Sequence, residues 1–516
     1  MEENKISKGK EILAILLLTM VIGTGTIAWI VWSSKDNTKM NVTIGDLADV
    51  SFKSGNDINI SNLSPSFYYD DGALTEFSIR KKKGLTTELN TNIYLDITSI
   101  SDELKNDNFK YVLLSSSDGN TYNEVISSSF KDASIGKLSI VTDSPLTDGK
   151  TYYKFYIWID GNNENNETMQ GKSLKGTLNV EVLTPPVNAV TLVEGLDKGE
   201  TGDSGSGVYK VTHSAIPASS SATGSEIPAV TDYRYYGASP NNYICLDMEG
   251  QSTCPDKHLY RIIGSIYEEL ENTNRIKVIK ATPLTDGTTS AFSWDYKVNN
   301  GNGSYDNIWA TITSGNYSNS LTSGSQLMKL LNSGLWWNGT SGSYYNNSTT
   351  ATSVNFTNYK LSDKAKSYIT TSRYYLGGYK NQTPLTNEMY GYERGIKRYN
   401  TDRPLYWEGM VGLMYPSDYG YAAGNTCVTG TKLWDYSGGC MNKDWLHISN
   451  TDQWLMLPYS GNSVLVFRTS SSGFVHNYGD GSISYNVRSA RPVFFLSSSA
   501  SISEGEGTSA APYILS

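Results

Sequence analysis

Chemistry in this chain would have to come from a few sparse groups. Gly202-Asp203-Ser204-Gly205-Ser206-Gly207 has the form of a loop that presents a nucleophilic serine. Such a serine needs a histidine base and a buried carboxylate, both earlier in sequence for a loop of this form, and no histidine precedes His213. The stretch therefore reads as a flexible Gly/Ser segment. His447 and His476, with Asp418, Asp452 and Asp480, are the remaining candidates for acid–base work. Each histidine stands alone in a Tyr-rich region, where a solvated ring or a backbone-carbonyl partner is the ordinary outcome. No H-E-x-x-H occurs, so the residues give no support to a zinc peptidase. The chain is expected not to be an enzyme.

Binding is the better use of what is present. The run from Asp160 through Asn162 and Glu164 is rich in oxygen ligands and makes Ca²⁺ the one ion to consider. It lacks the glycine that an EF-hand-type loop places at its sixth position, so a solvated hairpin tip is expected there, and no other cofactor. Ser449 to Asp452 is only faintly like a calcium-binding strand of a lectin. A more promising set is aromatic: Trp336, Trp337, Tyr344, Tyr345, Tyr406, Trp407, Tyr419 and Tyr421, with Tyr374 and Tyr375. Exposed Tyr and Trp stack on sugars or fill partner pockets at low entropic cost. The alternative is that these rings pack a loop-rich fold that has few aliphatic side chains.

The elements that position these groups follow from composition and pattern. Net charge is −9 and charged residues make up 18% of the chain, which argues against a nucleic-acid partner. Tyr outnumbers Phe, 37 to 12, and Ser, Thr, Asn and Gly are dense, so a mainly β surface protein is expected. Residues 1–11 carry Lys5, Lys8 and Lys10, and Ile12–Trp32 has no charged residue. That length crosses a bilayer as a helix, and the lysines favour a cytoplasmic N-terminus. We read 12–33 as a transmembrane signal anchor rather than a cleaved signal peptide: no A-x-A site follows it, and Trp29, Ile30, Val31 and Trp32 are bulky. The expected place is thus the cell membrane, single-pass, with the C-terminal bulk outside. In that compartment Cys245, Cys254, Cys427 and Cys440 should form two disulfides. Four cysteines allow three pairings, among which sequence does not choose.

Residues 40–183 alternate apolar and polar in short runs such as NTNIYLDITSI and TYYKFYIWID, separated by Asp118-Gly119-Asn120, Asp148-Gly149 and Asp160-Gly161-Asn162. This is the pattern of a β-sandwich. Residues 184–230, with Pro185-Pro186, GETGDSGSG and a Ser/Ala/Thr/Pro run, read as a linker. Residues 231–516 form a loop-rich β or α+β unit, with one short helix expected around Ser325 to Leu331.

The segment from Asn62 (NLSPS) through Thr151–Asn162 (TYYKFYIWIDGN) to Gln170–Thr177 (QGKSLKGT) resembles the TasA/camelysin family. That resemblance implies an exported β-sandwich of Gram-positive bacteria, associated with biofilm matrix fibres and surface layers, and self-association through the sandwich. Some relatives are described as metallopeptidases, from which this segment departs by lacking histidine. Residues 231–516, with YRYYGASPNNY, RIIG, VGLMYPSDYGYA, RPV and GTSAAPY, resemble an uncharacterised domain of Gram-positive surface proteins. They are distantly similar to the C-type-lectin or formylglycine-generating-enzyme fold. The implied function is an adhesin or a head that binds a surface glycan or protein; the alternatives are a matrix subunit and, less supported, an enzyme.

Overall fold

In the computed structural model, residues 40–44, 47–83, 88–162, 166–313, 316–317, 321, 323–396 and 404–516 are described. The chain is mainly β, with 39% strand and 15% helix. The expected span Ile12–Trp32 lies outside the described residues, and among those residues no helix is long and apolar enough to cross a membrane. Two compact units divide between Pro185 and Pro186.

The first unit contains β1 (Met40–Ile44), β2 (Ala48–Phe52), β3 (Asp57–Ile60), β4 (Pro65–Ser66), β5 (Ala73–Lys81), β6 (Asn90–Ile100), β7 (Phe109–Ser116), β8 (Asn123–Ser129), β9 (Gly136–Pro145), β10 (Lys150–Asp160) and β11 (Leu174–Leu183). One sheet runs β1-β2-β5-β10-β7-β8, with β4 added beside β10, and the other runs β3-β11-β6-β9. β10 shows why the two layers meet. Its Tyr153, Phe155, Ile157 and Ile159 enter one core with Leu95 of β6 and Leu178 of β11. Tyr156 and Trp158 point to the other face, against Val112 and Leu114. Apolar side chains on both faces of one strand require it to be central, and β10 does lie between β5 and β7.

The second unit starts inside the segment expected to be a linker. Val187–Asn188 (β12) pairs with a strand near the C-terminus, and Ala189–Gly195 (α1) follows, capped by the Asn188 side chain. Gly207–His213 (β13) pairs along its whole length with Val230–Tyr236 (β14). Its Pro, Ser and Gly residues made 184–230 look extended, but the structure folds them into the unit. The sheet continues through Tyr243–Cys245 (β15), Leu259–Glu268 (β16) and Thr273–Lys280 (β17), and is completed by Val493–Phe495 (β18), Ser501–Glu504 (β19) and Tyr513–Leu515 (β20). Its order is β12-β19-β20-β15-β16-β14-β13, with β17 between β16 and β18. β13 therefore ends the sheet. The short helix expected near Ser325 is present as Gln326–Asn332, its first turn capped by Ser325 Oγ. Of the three cysteine pairings, the structure forms the two local ones, Cys245–Cys254 and Cys427–Cys440.

Candidate functional site

Three helices lie over the end of the sheet where β13 sits: Thr386–Glu393 (α2), Pro416–Ala422 (α3) and Asn425–Gly430 (α4). Alternation along β13 sends Tyr209, Val211 and His213 to the helix side. There Tyr209 joins Tyr236, Tyr390, Tyr421 and Val428 in a buried cluster, with Val211 packed on it. Between β13 and the helices runs an open cleft of about 630 Å³. Lys210 to Ile216 form one wall, Asn387 and Tyr390 of α2 and Asn425, Val428 and Thr429 of α4 the other, and Ile396 stands at the rim. A cleft of this size falls in the range used for ligands.

Under the cleft lies a chain of buried charges. His213 Nε2 is 2.9 Å from Asp232 Oδ2, and its ring stacks on Tyr390 at 3.6 Å. Arg234 donates to Asp232 Oδ2 at 2.7 Å and to Asp418 Oδ1 at 3.0 Å. Lys277 Nζ closes the row on Asp418 Oδ2 at 2.5 Å. Two carboxylates and two cations thus balance. Burial opposes ionisation of Asp232 and Asp418, but the adjoining Arg234 and Lys277 outweigh it and hold both carboxyls below their ordinary range. Burial lowers the pKa of His213, against the opposing pull of Asp232. A small, partly open cavity of about 20 Å³ beside Arg234, Lys277, Arg373 and Arg394 has room for one water.

Glu393 is the exception to this balance. It is fully buried at the end of α2, accepting from Ser417 N at 2.8 Å and Ser417 Oγ at 2.6 Å. Burial pushes its pKa up to about 7, against the pull of Arg394 and Ser417. A carboxyl whose folded pKa is raised stabilises the fold below its unfolded value near 4.5, and that stability is lost as pH rises through about 7. We expect urea unfolding midpoints to fall between about pH 5 and about pH 8, by up to roughly 3 kcal/mol from this group. Glu393→Gln should flatten that slope. His213 has the opposite sign, losing stability as pH falls below its unfolded value, and is common to both proteins, so the difference between them isolates Glu393.

The aromatic residues expected to form a binding patch lie mostly inside. Trp336, Tyr344, Trp407, Tyr419 and Tyr421, with Tyr374 and Tyr375, are buried, and Trp337, Tyr345 and Tyr406 are half-buried. Trp407 packs between Trp309 and Tyr374. Most of them are core, packed among aliphatic side chains such as Leu331, Val411 and Leu413; of the expected set only Tyr421 reaches the cleft. The exposed aromatics are elsewhere: Tyr478 in the second unit, and in the first unit Phe67 and Tyr68, which are 66% and 69% exposed, and the partly exposed Tyr69, which lies against Tyr156 and Trp158. Three aromatics in a row after β4 were the available signal.

The acid–base candidates are not brought together. Among the described residues, no hydrogen bond or ion pair joins His447 or His476 to Asp418, Asp452 or Asp480. His447 Nδ1 meets Tyr419 Oη at 3.3 Å, His476 meets the Trp434 ring edge-on, and Asp452 pairs with Arg468 and Arg488. The Gly202–Gly207 loop is pinned, not flexible: Gly202 O accepts from Asn425 N, Asp203 from Thr426, and Ser204 O from Tyr236 Oη.

For a cation, Asp160 is already bonded to Lys110 at 2.5 Å and to both nitrogens of Asn162, and Glu164 lies outside the described residues. This arrangement does not hold Asp160 ready for Ca²⁺. Asp247, Glu249 and His258 do bring ligand atoms within 4.8 Å of one another. Glu249, however, is engaged by Lys257 at 2.8 Å and His258 Nε2 at 3.1 Å, and Asp247 by Ser362, so both carboxylates have internal partners, while His258 Nδ1 is buried with none among the described residues. The chain matches no protein-family model, and no curated protein matches it.

Proposed function

We propose that this is a membrane-anchored bacterial surface protein, attached through 12–33, whose second unit is a non-enzymatic head that binds a surface ligand in the β13 cleft. The observation that carries the reading is the cleft itself: it is open, of ligand size, and its floor is fixed by charges that satisfy one another. His213 is held by Asp232 and covered by Tyr390, an arrangement that supports a rigid binding surface rather than proton transfer. The first unit, a TasA/camelysin-like β-sandwich by resemblance, serves as the stalk. Binding of the full chain to glycan and host-protein arrays is the test. Thr429 is exposed on the cleft wall, so Thr429→Trp should obstruct the cleft, reducing binding about tenfold or more at an unchanged melting temperature. Broad panels with no ligand would overturn the reading.

A second reading, a matrix or filament subunit, draws on the exposed Phe67 and Tyr68, since apolar surface of that kind favours association. It expects polymers of the purified chain under electron microscopy, and their loss in Phe67→Ser/Tyr68→Ser.

A further inference from the structure

The free side of β13 is defined by its register. On β14 the carbonyls of Thr231 and Tyr235 accept from Asn274 Nδ2 and Trp445 Nε1, each at 3.0 Å, and that of Tyr233 lies against Gly264 of β16. These alternate residues face away from β13, so Val230, Asp232, Arg234 and Tyr236 face it. Their partners are His213, Val211, Tyr209 and Gly207. In an antiparallel ladder each residue sends its N–H and C=O to the same side. Val208, Lys210 and Thr212 therefore direct both groups outward, and among the described residues nothing bonds to them.

We infer that the cleft takes an extended segment of a partner protein, added as a strand to the edge of β13. This rests on the binding-head reading and specifies its ligand class. Strand addition supplies the hydrogen bonds that Lys210 and Thr212 leave open, while side-chain pockets beside the edge select sequence. Alternate residues of the added strand fall on the helix side, where Val211, Val428 and the 44%-exposed Ile396 offer apolar contact. Those between fall on the side of Lys210, which is exposed and has no ion pair among the described residues. A carboxylate opposite it is the complementary choice. The segment is thus apolar at every second position and acidic where it crosses Lys210. A sugar fits less well, because Tyr209, Tyr390 and Tyr421 bury their rings and present little face for stacking.

The test uses the immobilised full chain and a displayed library of random linear peptides. Peptides of the alternating, acidic pattern should be enriched. Lys210→Pro and Thr212→Pro remove one outward N–H each and leave the ladder to β14 intact, the place where an edge strand tolerates proline. Each should weaken binding about fivefold to tenfold with an unchanged melting temperature. Should either proline variant fail to fold, two measurements stand without it: Lys210→Glu should weaken acidic peptides, and N-methylation of a selected peptide should abolish binding at alternate residues only. Equal binding by the proline variants, or equal tolerance of N-methylation at every position, overturns strand addition. So does a library that yields no peptide. Glycan binding lost in Thr429→Trp but kept in Lys210→Pro overturns it too, yet leaves the binding head standing. Absence of peptide, glycan and protein ligands alike removes both.

Discussion

Asp418→Ala should be among the most damaging single substitutions in the second unit, costing about 3–5 kcal/mol of stability. The carboxylate is buried at the start of α3, where one oxygen meets Arg234 at 3.0 Å and the other meets Lys277 at 2.5 Å. It also accepts from Tyr415 N at 2.9 Å, closing the first turn of the helix. Removing it leaves Arg234 with Asp232 alone and takes from the buried Lys277 its Asp418 partner. Continuum arguments hold that a buried ion pair contributes little over an apolar replacement, whereas breaking one is expensive. Lys277→Met together with Asp418→Leu should therefore recover part of the loss, because Arg234 keeps Asp232 as its partner. Denaturant midpoints of the single and double variants measure this; a single variant within about 0.5 kcal/mol of the unaltered chain would refute the account.

Trp407→Ala is expected to cost about 3–5 kcal/mol, in the range for deleting a large buried aromatic. The ring is fully buried, touches Trp309 and Tyr374, and lies against Gly409, where even a methyl group would overlap it. A binding patch would behave differently: ligand affinity would fall while the unfolding midpoint stayed in place. Unfolding measured beside ligand binding at saturating concentration separates the two, and a midpoint unchanged by Trp407→Ala would restore these aromatics as surface.

The contrast between residues that could be read in sequence and those that could not is physical. β10 was legible because Asp148-Gly149 and Asp160-Gly161 bracket a run of aromatic and β-branched residues. The cysteines were nearly so, since short loops favour neighbours. Tyr and Trp were not, because the same ring serves core or surface and only the packing around it decides. The segment 184–230 misled through composition: Pro, Ser and Gly punctuate strands as readily as they make linkers. Within it Gly207-Val-Tyr-Lys-Val-Thr-His alternates well enough to have marked β13, and Asn188 before an apolar run marks the cap of α1. The charge row had only a partial local signal: Asp232 and Arg234 share one face of β14 at i and i+2, but Lys277 and Asp418 join them only through the fold.

β12 pairs with β19, Val187 opposite Ile502, and Ala189 N bonds Ala500 O at 2.9 Å. More than three hundred residues separate the two sides of that contact. During synthesis, the first strand of the unit must wait for nearly all the rest to emerge before it can be covered, and β20, which bridges β19 to β15, emerges later still. Long-range pairing of this kind slows folding and prolongs exposure of unfinished sheet. A nascent second unit cut short before residue 501 would lack β19 and β20, leaving β12 unpaired and β15 paired on one side only, with β16, so its maturation should depend on chaperones or on holding the chain unfolded until translation is complete.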